Sequence, residues 1–578
     1  MAPPTLTATK QTRGHRDTLF DQLAARSTKI PAERNNYTVQ PVRIPVQDED
    51  VEFELAADLY QPVLDDNQGY LGTVLAFGPY GRGVVFSGML ARPYAARGYQ
   101  VLLVSCRGTY RSGGVFEPFV TEAHDGRAIV AWMREQAWYT GSFAMVGPSY
   151  MTYTQWAVLS DNPPDMVASV AAVGPHDFSR FCLGTGGAMT LDTIRWSDSV
   201  TSQEDPGWFP PRGPLRMVWQ MLTADHRLKY VYESVSMIEA AERKFGDRAP
   251  WVLEFCRHPD LSDPHYDERW RRPTRALEVA NIPILLMAGW HDIFLDQTIE
   301  QYRMLRERKV KGIALVVGPW QHTTVEDAEK ETFFWLERHL SKVKPSVDPN
   351  ELPVRVFVGG VKEWHRLLQW PPATKPLELY LRSGDQLSET KCTDESEEEP
   401  ASSSFTFDPA DPTPTYGGAW LGMSGGGSVV DTPLAARPDV LTFTTKPLYK
   451  DTEVMGAPSL ELFRESDNPH VDIFFRLSEV DAKGVSRNIT EGYRRLDSKR
   501  RPEDILPVTL VMKDCAHAFK KGTCIRLVLA GASSRIYHRN PGTSENGLMA
   551  SSLRSAVHTI HHGKKGGFSR IILPVTSD

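Results

Sequence analysis

The stretch Phe143-Ala144-Met145-Val146-Gly147-Pro148-Ser149-Tyr150-Met151 constrains this chain more than any other. An apolar run of strand character stops at a glycine. A serine follows two residues later, and Thr152-Tyr153-Thr154-Gln155-Trp156-Ala157-Val158-Leu159 then reads as a helix. Strand, tight turn with a central serine, then helix is the form of a nucleophile elbow. An ordinary serine hydroxyl is a poor nucleophile. It becomes a good one where a sharp turn exposes Oγ beside a base and beside free backbone N–H groups. Gly-x-Ser alone is common, and Met151 stands where the usual elbow has its second glycine. Partners elsewhere in the chain therefore have to decide.

Strand and helix patterns alternate around this turn. Residues 51–59 alternate, with Val51, Phe53, Leu55, Ala57 and Leu59 on one face. Residues 73–77, 100–104 and 167–173 are short apolar runs, while 87–97 and 123–137 have helical spacing. The same grammar resumes with strands at 282–288 and 313–317 and helices at 295–308 and 325–340. Unbroken apolar strands between amphipathic helices predict an α/β domain whose parallel sheet is covered on both faces. Between the two blocks the chain is rich in Trp, Met, Arg and Pro with helical patches, which predicts a helical cap insertion. After a proline-bearing linker at 343–353, alternating strands begin at 354–358 and dominate to the end, predicting an antiparallel sandwich or jelly roll. The acidic segment 394–399 reads as a solvated loop. The expected division is an N-terminal extension (1–36), an α/β domain in two parts (37–175 and 271–345), the cap (176–270) and an all-β domain (346–578).

Composition narrows the function. The 578 residues carry 65 basic and 72 acidic side chains, interspersed, for a net charge of −7. That balance argues against nucleic acid or an anionic membrane as partner. No apolar run reaches membrane-spanning length, and the polar first twenty residues lack the apolar core of a secretory signal. Six scattered cysteines form no Cys-x-x-Cys, so no structural zinc is expected, and so few thiols suit a reducing compartment. The expectation is a cytoplasmic protein acting on a small molecule, with no metal or cofactor; a homodimer is left open.

A catalytic serine needs a base, and the base needs a carboxylate to orient it. The strand at 282–288 runs into Gly289-Trp290-His291-Asp292-Ile293-Phe294, and that at 313–317 into Gly318-Pro319-Trp320-Gln321-His322. Asp292 and His322 thus stand just past strand carboxyl ends, where ligands bind in open α/β sheets, and in the chain order Ser, Asp, His. Asp292 also suits a helix cap, and His291 and His176 are neighbouring alternatives to His322. For the oxyanion, the backbone N–H of Tyr150 and the segment Gly78-Pro79-Tyr80-Gly81 are candidates, Tyr80 offering a phenolic O–H.

Together these segments resemble the cocaine-esterase-like (CocE/NonD) serine hydrolases of the X-Pro dipeptidyl-peptidase superfamily. Gly147-Pro148-Ser149-Tyr150 with Thr154-Gln155-Trp156 is similar to that family's elbow, Gly289-Trp290-His291-Asp292 to its acid loop, Gly318-Pro319-Trp320-Gln321-His322 to its histidine loop and Pro79-Tyr80-Gly81 to its oxyanion segment. Cys106-Arg107-Gly108 and Glu135-Gln136-Ala137-Trp138 extend the likeness. The resemblance implies an α/β-hydrolase domain with an inserted helical cap, a C-terminal jelly roll that helps to wall the pocket, and pocket-lining roles for Trp196 and Phe294. It implies ester hydrolysis through an acyl-enzyme on a small organic molecule. An acyltransferase, lactonase, amidase or C–C hydrolase would use the same triad. A non-catalytic hydrolase-fold module is the remaining alternative. Thr152 stands where the family elbow has glycine. The amino-acid ester hydrolases of the superfamily place carboxylates two and three residues after the acid, where this chain has Phe294 and Leu295. An α-amino acyl substrate is therefore not expected, although Asp296 lies one residue further on.

Overall fold

The computed structural model describes residues 10–14, 21–22, 29–184, 186–203, 214–266, 273–341, 352–391, 402–422, 425–496, 499, 505–563 and 566–577. The expected linker at 343–353 lies mostly outside these residues and the acidic loop at 394–399 wholly so.

The first sheet contains β1 (Gln11–Thr12), β2 (Tyr37–Asp48), β3 (Val51–Pro62), β4 (Thr73–Gly78), β5 (Gln100–Ser105), β6 (Phe143–Pro148), β7 (Met166–Ala172), β8 (Ile284–His291), β9 (Ile313–Gln321), β10 (Val354–Val358) and β11 (Glu363–Leu367). Their order is β1-β2-β3-β5-β4-β6-β7-β8-β9-β10-β11. From β5 to β10 every neighbouring pair is parallel. The edges are antiparallel, so the expected parallel sheet is the middle of a mixed one. The reason at one edge is local: Asp48 pairs with Val51 across a two-residue turn, which leaves no room for the crossover a parallel pair needs.

Successive residues of one strand enter different cores. Leu75, Leu102 and Met145 join one cluster, while Val74, Ala76, Val101, Leu103 and Val146 join another. This is why these strands read as unbroken apolar runs. The first core is closed by helices Glu122–Arg134, Tyr150–Leu159 and Leu295–Glu307, and the second by Val84–Leu90, Arg92–Ala95 and Ala328–His339. The single helix expected at 87–97 is two. It breaks at Ala91 (φ −126°, ψ −59°), and Pro93, which has no N–H to give a continuing helix, sits in the first turn of the second piece.

Between β7 and β8 lies the helical insertion, with helices Asp192–Ser202, Pro214–Tyr232, Met237–Phe245 and Pro250–Arg257. Beyond β9, one expectation fails. Residues 354–358 do not open the all-β unit; they pair in parallel with β9, Val354 beside Leu315 and Val356 beside Val317. The helix Ala328–His339 supplies the crossover, and the first sheet therefore runs on past residue 345. From Thr374 to Thr576 the described residues form strands, mostly antiparallel, with two short 3-10 helices, around a separate core that includes Leu379, Leu462, Ile473, Phe475, Leu527 and Leu573.

Candidate active site

Four residues singled out in the sequence stand at carboxyl ends of the parallel strands. Ser149 follows β6, Asp292 follows β8, His322 follows β9, and Tyr80 comes two residues after β4. Parallel strands send these ends to one side of the sheet, so residues remote in sequence meet there.

Ser149 has φ 59° and ψ −126°, a conformation that costs a non-glycine residue on the order of 1–3 kcal/mol. The surroundings hold it. Its N–H donates to Ala172 O at 2.9 Å, and its carbonyl accepts from the Thr152 N–H at 2.8 Å. Ser149 is also the N-cap of helix Tyr150–Leu159, and the sharp turn lifts Oγ away from the strand.

His322 Nε2 lies 3.0 Å from Ser149 Oγ, and His322 Nδ1 lies 2.8 Å from Asp292 Oδ1. Asp292 is fully buried. With the Nδ1–H donated to this carboxylate, the Nε2 lone pair faces the serine hydroxyl, as a general base requires. The acid and histidine loops touch because Gly289 has no side chain: a Cβ there would stand 2.1 Å from Trp320 O. Geometry separates the alternatives: it is His322 that reaches Ser149 Oγ, whereas His176 Nδ1 lies 3.3 Å from Gln301 Nε2, and burial pushes His291 and His176 down to about 4 and about 3.

The Tyr80 hydroxyl is 3.3 Å from Ser149 Oγ and accepts a 3.4 Å hydrogen bond from Trp196 Nε1. Burial raises its pKa above the ordinary tyrosine value, which keeps it a protonated donor at neutral pH. The Tyr150 N–H belongs to the first turn of its helix, where helix geometry supplies no intrahelical acceptor.

Two spaces open from Ser149. One is a slot of about 10 Å³ between Tyr150, Phe178, Phe181, Trp196, Phe294 and Leu421. The other is a chamber of about 730 Å³ reached past Phe86, Met89, Trp196, Ala224 and Leu421. Trp196 and Phe294, expected at the pocket, are both there; Phe294 also packs edge-on against His322 at 5.5 Å. Sequence reasoning missed Phe178, Phe181 and Leu421. Leu421 comes from the all-β unit, in a glycine-rich stretch whose Gly417, Gly418, Gly425 and Gly427 all have positive φ. Its N–H donates to Asp192 of the insertion at 2.9 Å, and Asp192 also takes Arg195 at 2.8 Å. The glycine cluster was the available signal.

Elsewhere, Glu254, His258 and His265 bring ligand-type atoms within 4.8 Å of one another. The two imidazoles are stacked parallel at 4.2 Å (3°), so no ion can lie in both ring planes, as shared coordination needs. Among the described residues no helix is long and apolar enough to cross a membrane.

Residues 52–324 match the model of the X-Pro dipeptidyl-peptidase (S15 family), and residues 347–566 match that of the X-Pro dipeptidyl-peptidase C-terminal non-catalytic domain. Cocaine esterase of Rhodococcus sp. (strain MB1 Bresler) is 27% identical, covering 93% of this chain and 99% of its own length. The chain thus carries an S15-family domain followed by the C-terminal non-catalytic domain of the X-Pro dipeptidyl-peptidases. An α-amino acid ester hydrolase has the same fold, with a TM-score of 0.77 at 20% identity over 95% of this chain and 98% of that one. So does a CocE/NonD family hydrolase from Staphylococcus aureus, with a TM-score of 0.65 at 18% identity over 94% of each chain. This S15-type protein is thus a hydrolase acting on esters or peptides, with an α/β-hydrolase domain and an all-β C-terminal domain.

Proposed function

We propose that this S15-type hydrolase cleaves the ester of a small organic molecule through an acyl-enzyme on Ser149. His322 takes the Ser149 proton as Oγ attacks the ester carbonyl, and returns it to the leaving alkoxide as the C–O bond breaks. Asp292 orients His322 and stabilises the imidazolium. The Tyr80 hydroxyl and the Tyr150 N–H hold the oxyanion. Water, activated by His322, then releases the acid. The observation that carries this reading is the unbroken relay from Asp292 Oδ1 through His322 to Ser149 Oγ, at 2.8 and 3.0 Å.

The lining of the slot supports an uncharged group beside Ser149. In the narrow slot, Phe178, Phe181, Trp196 and Phe294 surround Ser149, and the two positions that would carry ammonium-binding carboxylates are Phe294 and Leu295. The larger substituent of the ester occupies the chamber, and the slot, with room for about one water-sized group, takes at most a methyl-sized one.

The test is a panel of aryl esters of graded acyl size beside a matched set of Xaa-Pro amides. We expect turnover of esters with at least one small substituent. Tyr80→Phe should lower kcat by about 10²–10³, the scale for one oxyanion donor. Turnover confined to the amides, or a Tyr80→Phe enzyme with unchanged kcat, would contradict this assignment.

A further inference from the structure

Behind the oxyanion site stands a group that this mechanism does not use. Glu122 opens helix Glu122–Arg134 and is 2% exposed. Its carboxylate accepts a short hydrogen bond from the Tyr150 hydroxyl, and that hydroxyl in turn accepts the Phe119 N–H at 3.0 Å. We propose that Glu122 is a positioning residue for hydrolysis: by gripping the Tyr150 phenol it fixes the peptide plane whose N–H holds the oxyanion. This rests on the reading of the Tyr150 N–H as an oxyanion donor.

The geometry makes Tyr150 a lever with two fixed ends. Its backbone begins the helix directly after the strained Ser149, and the Ser149–Tyr150 peptide is held at its carbonyl by the Thr152 N–H at 2.8 Å, so the Tyr150 ring is a second hold on the same plane. Its ring reaches the opposite way and is fully packed. Trp196 stacks on it at 5.8 Å (8°), Phe119 lies at 4.6 Å, and Tyr80 meets it edge-on at 6.5 Å. Trp196 and Tyr80 are joined by their own hydrogen bond, so one ring touches both the second oxyanion donor, Tyr80, and the residue bonded to it. Rotating the phenol would move the N–H at one end and loosen Tyr80 at the other.

Glu122 is anchored as such a clamp requires. One turn along, the buried Asp125 receives Arg107 Nε at 2.9 Å, which ties the start of the helix to the segment after β5. A carboxyl at this depth is costly, and a neutral side chain would fill the space more cheaply. Burial pushes Glu122 up to about 7. A group kept in the core at that cost, one residue's length from a catalytic peptide, is better explained by function than by packing.

The experiment is steady-state kinetics with thermal melting on Glu122→Ala, Glu122→Gln, Tyr150→Phe and the Glu122→Ala/Tyr150→Phe double variant. Tyr150→Phe keeps the backbone N–H and removes only the grip. We expect Glu122→Ala and Tyr150→Phe each to lower kcat by about 10- to 100-fold, the scale of a catalytic group misplaced by about 1 Å, with KM within about twofold. The double variant should fall no further than either single one, and Glu122→Gln, which still offers an acceptor, should restore most of kcat. If Glu122→Ala does not fold, Tyr150→Phe decides. A Tyr150→Phe enzyme with wild-type kcat, or losses that multiply in the double variant, would overturn the proposal. Phosphonate labelling of Ser149 separates this from the reading beneath it: labelled Ser149 with unaltered kcat in these variants removes Glu122 alone, whereas an unreactive Ser149 in the wild type removes the acyl-enzyme itself.

Discussion

Thr152 is the residue at which the elbow departs from the pattern it resembles, and the structure supplies the compensation. Threonine at the start of the elbow helix adds bulk where the resembled pattern has glycine. The room comes from Gly174, just beyond β7, where a Cβ would stand 2.3 Å from Thr152 Cβ and 2.4 Å from Ser149 O. The threonine hydroxyl is then aimed between Gly147 O at 3.1 Å and Ala172 O at 3.0 Å, so it braces both strands that carry the turn. Sequence reasoning flagged Thr152 but could not reach this answer. The compensating glycine lies 22 positions downstream, and only the β6–β7 register brings it opposite. Both carbonyls keep other donors, Ser149 N–H and Gln155 Nε2. Thr152→Val should therefore cost only about 1 kcal/mol of stability, the usual value of one hydrogen bond, and leave kcat nearly unchanged. Gly174→Ala forces the Ser149 carbonyl to move and should lower kcat by at least about tenfold. Denaturant melts and ester kinetics on the two variants check this, and the reverse ranking would show that Gly174 does not support the elbow.

Among the elements, strands were more legible than helices and edges. The strands β4, β6, β8 and β9 were read in place because a fully buried parallel strand is an unbroken apolar run, although β8 and β9 continue past the expected ends at Ala288 and Val317 to His291 and Gln321. The carboxyl ends of these four strands carry Tyr80, Ser149, Asp292 and His322. The break at Ala91 and the pairing of β10 with β9 were missed, since one depends on a local conformational choice and the other on a partner 39 residues away. The helix Glu122–Arg134 carries a titration prediction. Its Glu122 faces Tyr150, Cys106 and Asp125, with Arg107 bound to Asp125, and burial raises it from 4.5 to about 7. A raised carboxyl binds its proton more tightly in the folded state. Its contribution is complete below pH 4.5 and is lost as pH rises through about 7. The melting temperature of the wild type should therefore fall, relative to Glu122→Gln, between about pH 4.5 and 7. Parallel melting curves across that window would place the Glu122 carboxyl outside the core.

At the scale of the whole molecule, the two domains build one pocket. Leu421 of the all-β domain lines both the slot and the chamber, and Asp192 of the insertion holds its backbone. Further ties join the same units: Asn546 Nδ2 donates to Cys256 O at 3.0 Å and Arg539 Nη2 to Glu233 O at 3.0 Å. The need for a C-terminal wall followed from the family resemblance, but its identity did not, because Leu421 acts through a loop with no strand or helix pattern of its own. Asp192→Ala should raise KM for a good ester about tenfold, the worth of one charge-assisted hydrogen bond, with kcat changed by less than about threefold. Arg195 retains Asp225 at 3.0 Å, so its charge is not abandoned in the core. Equal losses in kcat and kcat/KM would instead assign Asp192 to the transition state.

The central claim is that Ser149 is the nucleophile of this relay. Incubating the protein with a fluorophosphonate, then measuring intact mass and mapping the labelled peptide, addresses it directly. One adduct on Ser149 in the wild type, and none on Ser149→Ala, is the predicted result. Equal labelling of both proteins, or a wild type that turns over esters yet never acquires the adduct, would contradict it.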